Sequence, residues 1–265
     1  MKLFISADME GTTGISAWVE TEKGHPDYAR LAGQMIQEVK AVCEGANEAG
    51  TVEILLKDAH DSARNIAPEL LPENVKIIRE WAKNPFGMMA GLDGSFDAVA
   101  MTGYHAAAGS NGSPLAHTWD LQNEFIKING EFVSEFQMNA YIAAYFKVPV
   151  VFVSGDKMLC ETAKALIPAI TAIPVSEGLG NASISIHPTK ALSLIRQGIK
   201  TALGQNIHDC LLELPKHFSV EIQFREHFRA YKGSFYPGAR QSGMKSVCFE
   251  ADDYMEVLRF FLFVL

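Results

Sequence analysis

The sequence carries only four cysteines in 265 residues, Cys43, Cys160, Cys210 and Cys248, and no two of them form a CxxC pair. That sparsity excludes a disulfide scaffold, and the wide spacing excludes a cysteine zinc knuckle. Clusters of lysine and arginine are also lacking. Acidic residues number 31 against 23 basic ones, a formal charge of −8, so the electrostatic footprint of a nucleic-acid binder is missing. No apolar run approaches the ~20 residues that a membrane-spanning helix needs. The C-terminal run, residues 257–265, is apolar but short and carries Arg259; it reads as a buried last helix or an interface. Residues 1–7 are too short for a signal-peptide core and lead straight into Asp8 and Glu10, so a cytoplasmic protein that contacts neither membrane nor nucleic acid is expected. Internal repeats, low-complexity tracts and flexible linkers are absent.

What is present is a core. With 48% hydrophobic and 20% charged residues, the chain suits one large domain, or one domain with a modest second lobe. Strand patterns fall at residues 2–7, 51–56, 75–78, 98–102 and 148–154. They alternate with helical 3.6-residue periods at 26–49, 134–146 and 156–167, and Gly50 stands as the stop signal of the first helix. Asn129-Gly130 between 125–128 and 132–133 reads as a two-residue hairpin turn. Near-continuously apolar strands separated by helices predict a doubly wound, mainly parallel α/β sheet flanked by helices. After residue 187 a helix to 203 leads into strand patterns at 220–224 and 247–249. The expected organisation is a metal-binding α/β catalytic domain over 1–187 and a smaller α+β lobe over 188–265, or a lobe continuous with the first domain.

Ligands of open α/β sheets bind beyond the carboxyl ends of the strands, so the residues that follow each strand are the informative ones. Asp8 and Glu10 follow the first, His60 the second, His105 the fourth, and a Gly/Ser-rich loop then leads to His117; Glu135 opens the helix after the hairpin. Each has a plain alternative. Asp8 and Glu10 could form a turn, His60 could be a solvated loop residue, His105 a structural one, and Glu135 a carboxylate favoured by its helix dipole. Together, five oxygen and nitrogen donors without a cysteine match a hydrolytic two-metal site. His187, His208, His217 and His227 lie in the last third and read as ordinary lobe histidines. A competing reading takes Asp8-Met9-Glu10-Gly11-Thr12-Thr13 as the opening of a haloacid-dehalogenase-like, magnesium-dependent phosphatase. Asp8 would then be the nucleophile and Glu10 the acid, with Thr102, Lys147 and Asp156 recruited. It needs an aspartate where Glu161 stands, and it leaves His60, His105, His117 and Glu135 without a role.

Ser6-Ala7-Asp8-Met9-Glu10-Gly11 resembles the SxDxEG signature of the DppA-type D-aminopeptidases, the M55 metallopeptidase family. The resemblance continues in order through Lys57-Asp58-Ala59-His60, Gly103-Tyr104-His105-Ala106, Ala116-His117-Thr118, Glu135 with Asn139-Ala140-Tyr141, and Val153-Ser154-Gly155-Asp156. It implies a zinc-dependent aminopeptidase that removes N-terminal D-amino acids, typically D-alanine, from short peptides. It also implies a ring-forming homo-oligomer, a decamer in the type protein. By motif position two zinc ions would be held by Asp8, Glu10, His60, His105 and Glu135, with His117 as a further catalytic residue. In the expected mechanism Asp8 bridges, Glu10 and Glu135 complete one metal's shell, His60 and His105 complete the other's, and His117 carries the proton. The D-preference comes from the resemblance alone. Lys57 replaces the family's asparagine and Ala59 its serine. A metal- or peptide-binding module without turnover is the non-enzymatic alternative.

Overall fold

Lys2–Ala7 forms β1, whose residues from Leu3 onward are buried on both faces, as a central strand requires. The computed structural model describes all 265 residues. The chain leaves β1 through the site loop and enters α1, Tyr28–Glu48, which buries Leu31, Met35, Ile36, Val39, Val42, Cys43 and Ala46 along one stripe. Gly50, at φ +89°, ends it in the left-handed conformation of a C-terminal cap, with its N–H on the Asn47 carbonyl. Then follow β2 (Glu53–Asp58), β3 (Val75–Ile78), β4 (Ala98–Tyr104), the hairpin β5 (Asn123–Ile128) and β6 (Glu131–Phe132), α2 (Glu135–Tyr145), β7 (Val150–Asp156) and α3 (Lys157–Leu166). The remainder comprises β8 (Thr171–Leu179), β9 (Ala182–Ser185), α4 (Pro188–Gly204), β10 (Phe218–Phe224), α5 (His227–Gly233), β11 (Arg240–Gln241), β12 (Ser246–Ala251) and α6 (Tyr254–Val264).

Two sheets result. The larger has the order β3-β2-β1-β4-β7-β8-β9, parallel throughout except for the antiparallel edge strand β9. From β1 the chain first runs outward to β2 and β3 and then returns to β4 on the other side, so the order reverses between β1 and β4. That crevice is the topological switch point, where open α/β sheets take their ligands. The fold is the mainly parallel, helix-flanked α/β sheet read from the sequence. The smaller sheet, β11-β12-β10-β5-β6, is antiparallel. Its β5–β6 turn is closed by Asn129 and Gly130, both with positive φ, as an Asn-Gly hairpin turn demands.

Segments from both sides of residue 187 interleave. The β5–β6 hairpin completes the second sheet, α4 packs on α1 beside the first, and one contiguous apolar core joins both. The Tyr254 hydroxyl at the start of α6 donates to the Met138 carbonyl in α2, fastening the last helix to the main body. Phe260 and Phe261 are fully buried, and Phe260 stacks on Phe249, so only Phe263 of the terminal aromatic trio faces outward, at 67% exposure. The strand pair β8–β9 was not legible as strand. Pro174 and the glycines at 178 and 180 interrupt its apolar pattern, and it lies at the half-exposed sheet edge. No helix is long and apolar enough to cross a membrane.

Candidate metal centre

The site forms where β1 and β4 run on past their ladder in contact. Asp8 N–H donates to the Thr102 carbonyl at 2.9 Å and Gly11 N–H to the Gly103 carbonyl at 2.8 Å. Two glycines permit this approach. A Cβ on Gly11 would lie 1.7 Å from the Tyr104 carbonyl oxygen, and one on Gly103, at φ +73°, would lie 2.1 Å from the Asp8 oxygen. Asp8 and Glu10 therefore leave β1 beside His105 at the end of β4. His60 arrives from the exit of β2, and Glu135 from the first turn of α2, whose N-cap is Ser134 with its hydroxyl accepting Gln137 N–H.

All six sequence-derived residues meet. His60 Nδ1 stands 3.0 Å from Glu10 Oε2 and 3.4 Å from Asp8 Oδ1. His105 Nε2 stands 3.5 Å from Asp8 Oδ2 and 3.8 Å from Glu135 Oε2. His117 Nε2 stands 3.6 Å from Glu135 Oε1 and 3.9 Å from Glu10 Oε1. Asp8 thus turns one oxygen to each of two imidazoles. The donor atoms close enough to share one cation fall into two groups, Asp8 with Glu10 and His105, and His105 with His117 and Glu135, while His60 approaches Glu10 and Asp8.

The outward-facing ring atoms define the chemistry. His60 Nε2–H donates to the Thr21 carbonyl at 2.9 Å, His105 Nδ1–H to that of Ala106 at 3.0 Å, and His117 Nδ1–H to that of Leu115 at 2.9 Å. A carbonyl only accepts, so in each neutral ring the inner nitrogen carries a lone pair. Three lone pairs facing three carboxylates repel unless positive charge sits between them, as protons or as metal. Asp8 Oδ2 and His105 Nε2 are both buried and without a hydrogen-bond partner. Two donors each ~2.1 Å from a tetrahedral zinc stand about 3.4 Å apart, in the middle of the observed separations. The donor set, oxygen and nitrogen without sulfur, fits zinc.

Protons fill the same role in the absence of a cation. Burial works against a charged His60, but Glu10 and Asp8 outweigh it and hold the ring's pKa well above its ordinary value. Burial likewise opposes charge on His105, and Asp8 and Glu135 overcome it, raising the pKa to about 10. Burial would raise Glu10, yet His60, His117 and His105 together hold it well below the usual carboxylate range. For Glu135 burial prevails and the pKa is raised. Metal would enter by displacing these protons.

A set of buried groups outside the expected ligand set holds the centre in shape. The Asp58 carboxylate accepts the N–H groups of Asn65 and Ile66 and the Asn65 side-chain amide, which also donates to the His60 carbonyl. Asp156 accepts Ala106 N–H, beside His105, and caps α3 through Leu159 N–H. Beneath Asp8, Ser6 donates to the Met88 carbonyl and accepts from Tyr104 OH, which in turn accepts from Asn139. Glu38 of α1, its pKa raised by burial, accepts Thr13 N–H and fixes the loop after Glu10.

The sequence model of the M55 peptidases, described as D-aminopeptidase, matches residues 1–263. A D-aminopeptidase of Bacillus subtilis (strain 168) is 31% identical over 260 residues, covering 97% of this chain and 93% of the relative. The solved structure of the Zn-dependent D-aminopeptidase DppA from Bacillus subtilis, described as a self-compartmentalizing protease, superposes with a TM-score of 0.93. It is 29% identical and covers 100% of this chain and 96% of that one. The chain belongs to the M55 D-aminopeptidase family. Membership makes it a hydrolase.

Within this M55 chain the phosphatase constellation does not assemble. Lys147 is exposed just before β7, at the opposite end of the sheet from Asp8. Thr102 Oγ1 pairs with Ser154 Oγ, and the Asp156 carboxylate is taken by two backbone N–H groups. Lys57, the departure from the family motif, is fully buried. Its ammonium donates to the Asp58 and Glu80 carbonyls and lies 4.5 Å from the centre of the Trp81 ring. Burial lowers its pKa to about 8. Lys57 therefore supports a wall of the cleft and does not line it. The cleft has a volume of about 440 Å3 and opens over Asp8, Glu10, His60, His117 and Glu135, between Trp81 and Trp119.

Proposed function

We propose that this M55 chain is a zinc-dependent D-aminopeptidase that cleaves the N-terminal residue, D-alanine among them, from short peptides. The reading rests on one observation above the rest: three imidazoles whose outer nitrogens donate to backbone carbonyls while their inner lone pairs face three carboxylates. Asp8, Glu10, His60, His105 and Glu135 would hold two zinc ions, with Asp8 shared, His60 beside Glu10, and His105 beside Glu135. When bound there, zinc would supply Lewis-acid polarisation of a peptide carbonyl and a lowered water pKa.

The remaining chemistry belongs to the side chains. His117 is the least buried of the three imidazoles, stands on a loop, and faces the cleft. Its Nδ1–H is anchored on Leu115, so Nε2 is the atom that takes a proton from the attacking water and returns it to the leaving amine. Stacking on His105 at 4.2 Å, and the edge contact of Trp18 at 5.1 Å, hold the ring plane. Trp81, Trp119 and Met88 supply apolar surface to the cleft. The solved relative is described as self-compartmentalizing, and this chain would work as a homo-oligomer, a decamer, in the cytoplasm. The exposed Phe235, Met244 and Phe263 are apolar surface available for such contacts.

The test is hydrolysis of D-alanyl p-nitroanilide and D-Ala-D-Ala beside their L-counterparts, before and after chelation. Zinc-dependent turnover of the D-substrates is expected. Metal binding without hydrolysis would leave a binding module instead.

A further inference from the structure

The cleft is also lined by residues that the mechanism leaves unused. The whole cleft is lined by five carboxylates, Asp8, Glu10, Asp61, Asp120 and Glu135, and a single ammonium, that of Lys83. Lys83 is exposed to the cleft and enters no ion pair or hydrogen bond, unlike Lys57 behind it. Its backbone lies at φ +56°, a conformation that non-glycine residues rarely adopt. Asp61 (φ +44°) and Trp119 (φ +72°), which line the same cleft, share it.

The loop that carries Lys83 is fastened from below. Glu80 N–H donates to the Ala63 carbonyl at 2.8 Å, and the Glu80 carbonyl accepts the Lys57 ammonium at 3.0 Å. Trp81 Nε1–H donates to the Asp61 carbonyl at 2.7 Å. Asn84 turns its side-chain oxygen back onto Phe86 N–H. The Lys83 stem therefore rises from a rigid base, and little backbone order has to be created when it engages a ligand.

We propose that Lys83 is a specificity-determining residue that binds the C-terminal carboxylate of a short peptide whose free amino end lies at the metal centre. The proposal rests on the peptidase reading above. A short peptide is a zwitterion, and in a cleft lined with carboxylates its own carboxylate finds one organic cation. An ammonium–carboxylate contact of this kind rewards substrates that end within reach of Lys83, and it disfavours longer chains and blocked termini. A cavity of about 440 Å3 lies toward the small end of ligand sites, in keeping with a substrate held at both ends.

The experiment compares D-Ala-D-Ala with its C-terminal amide on the zinc-loaded enzyme. The wild type should favour the free acid by on the order of 10–100-fold in kcat/KM, the range of a hydrogen bond to a charged group, with the difference in KM. Lys83→Met should bring the ratio close to one, Lys83→Glu should invert it, and Lys83→Arg should keep most of it. A wild type indifferent to amidation overturns the proposal, as does a Lys83→Met variant with the ratio intact. Equal rescue by D-Ala-D-Asp amide, whose carboxylate is on the side chain, would also overturn the C-terminal assignment. If neither peptide is cleaved, the peptidase reading itself fails. The acid-to-amide affinity ratio, measured by calorimetry on wild type and Lys83→Met, then decides the role of Lys83 alone.

Discussion

Replacing Gly11 with alanine adds one methyl group at the closest approach of β1 and β4. The new Cβ would stand 1.7 Å from the Tyr104 carbonyl oxygen, a backbone atom that has no rotamer to escape into. One strand exit must retreat by about 1.7 Å to regain an ordinary contact of 3.4 Å, and the 2.8 Å hydrogen bond from Gly11 to Gly103 goes with it. Overpacking of this kind costs about 1–3 kcal/mol and the hydrogen bond about 0.5–1.5 kcal/mol. A loss of roughly 2–4 kcal/mol lowers the melting temperature of a chain this size by about 5–15 °C. The metal centre suffers more than the fold. Asp8 and Glu10 ride on β1 and His105 on β4, while metal–ligand distances tolerate only ~0.2 Å. Calorimetry and metal analysis of the purified variant should therefore report a lower melting temperature and loss of zinc together. A Gly11→Ala protein with wild-type melting temperature and full zinc content would refute the reasoning.

The same substitution elsewhere has the opposite sign. Gly33 lies inside α1, and a Cβ there meets nothing within 4 Å, so Gly33→Ala should stabilise by about 0.5–1 kcal/mol in a denaturant titration. Lys57 releases its proton at about pH 8 in the folded chain, below the range of an unfolded lysine. The unfolded state thus binds more protons above that pH, and stability rises with pH through that window. In Lys57→Met this contribution is gone, so the melting-temperature difference should move in favour of the wild type between about pH 7 and about pH 10; a difference independent of pH would contradict it. His117→Ala should keep both metals while losing on the order of 10²–10⁴ in rate. Metal lost along with activity would make His117 a ligand, and an unchanged rate would end its catalytic role.

The parallel sheet was legible because its central strands are apolar on both faces; of the six candidate site residues, five follow strand exits or open a helix, and His117 comes from the loop after β4. The support around them was not. Ser6, Tyr104 and Asn139 are far apart in sequence and meet only through the register of β1 with β4 and the packing of α2. Asp58 and Asp156 lie within motif segments, but their work is accepting backbone N–H groups of loops whose course no local pattern encodes. Trp81 and Lys83 reach the cleft from a segment with left-handed residues at 80 and 83, conformations that side-chain type does not announce. Phe260, Phe261 and Phe263 look alike in a terminal apolar run. Only the pairing of α6 with the second sheet separates the two core residues from the exposed one.

The most direct test of the two-metal account is zinc stoichiometry measured against activity during chelation and reconstitution. The wild type should bind two zinc ions per chain, with D-Ala-D-Ala hydrolysis lost on chelation and regained as both return. Asp8→Ala should lose both ions and all turnover, because two close dications without their shared carboxylate repel. Full zinc content and a normal rate in Asp8→Ala, or undiminished hydrolysis by metal-free wild type, would contradict it.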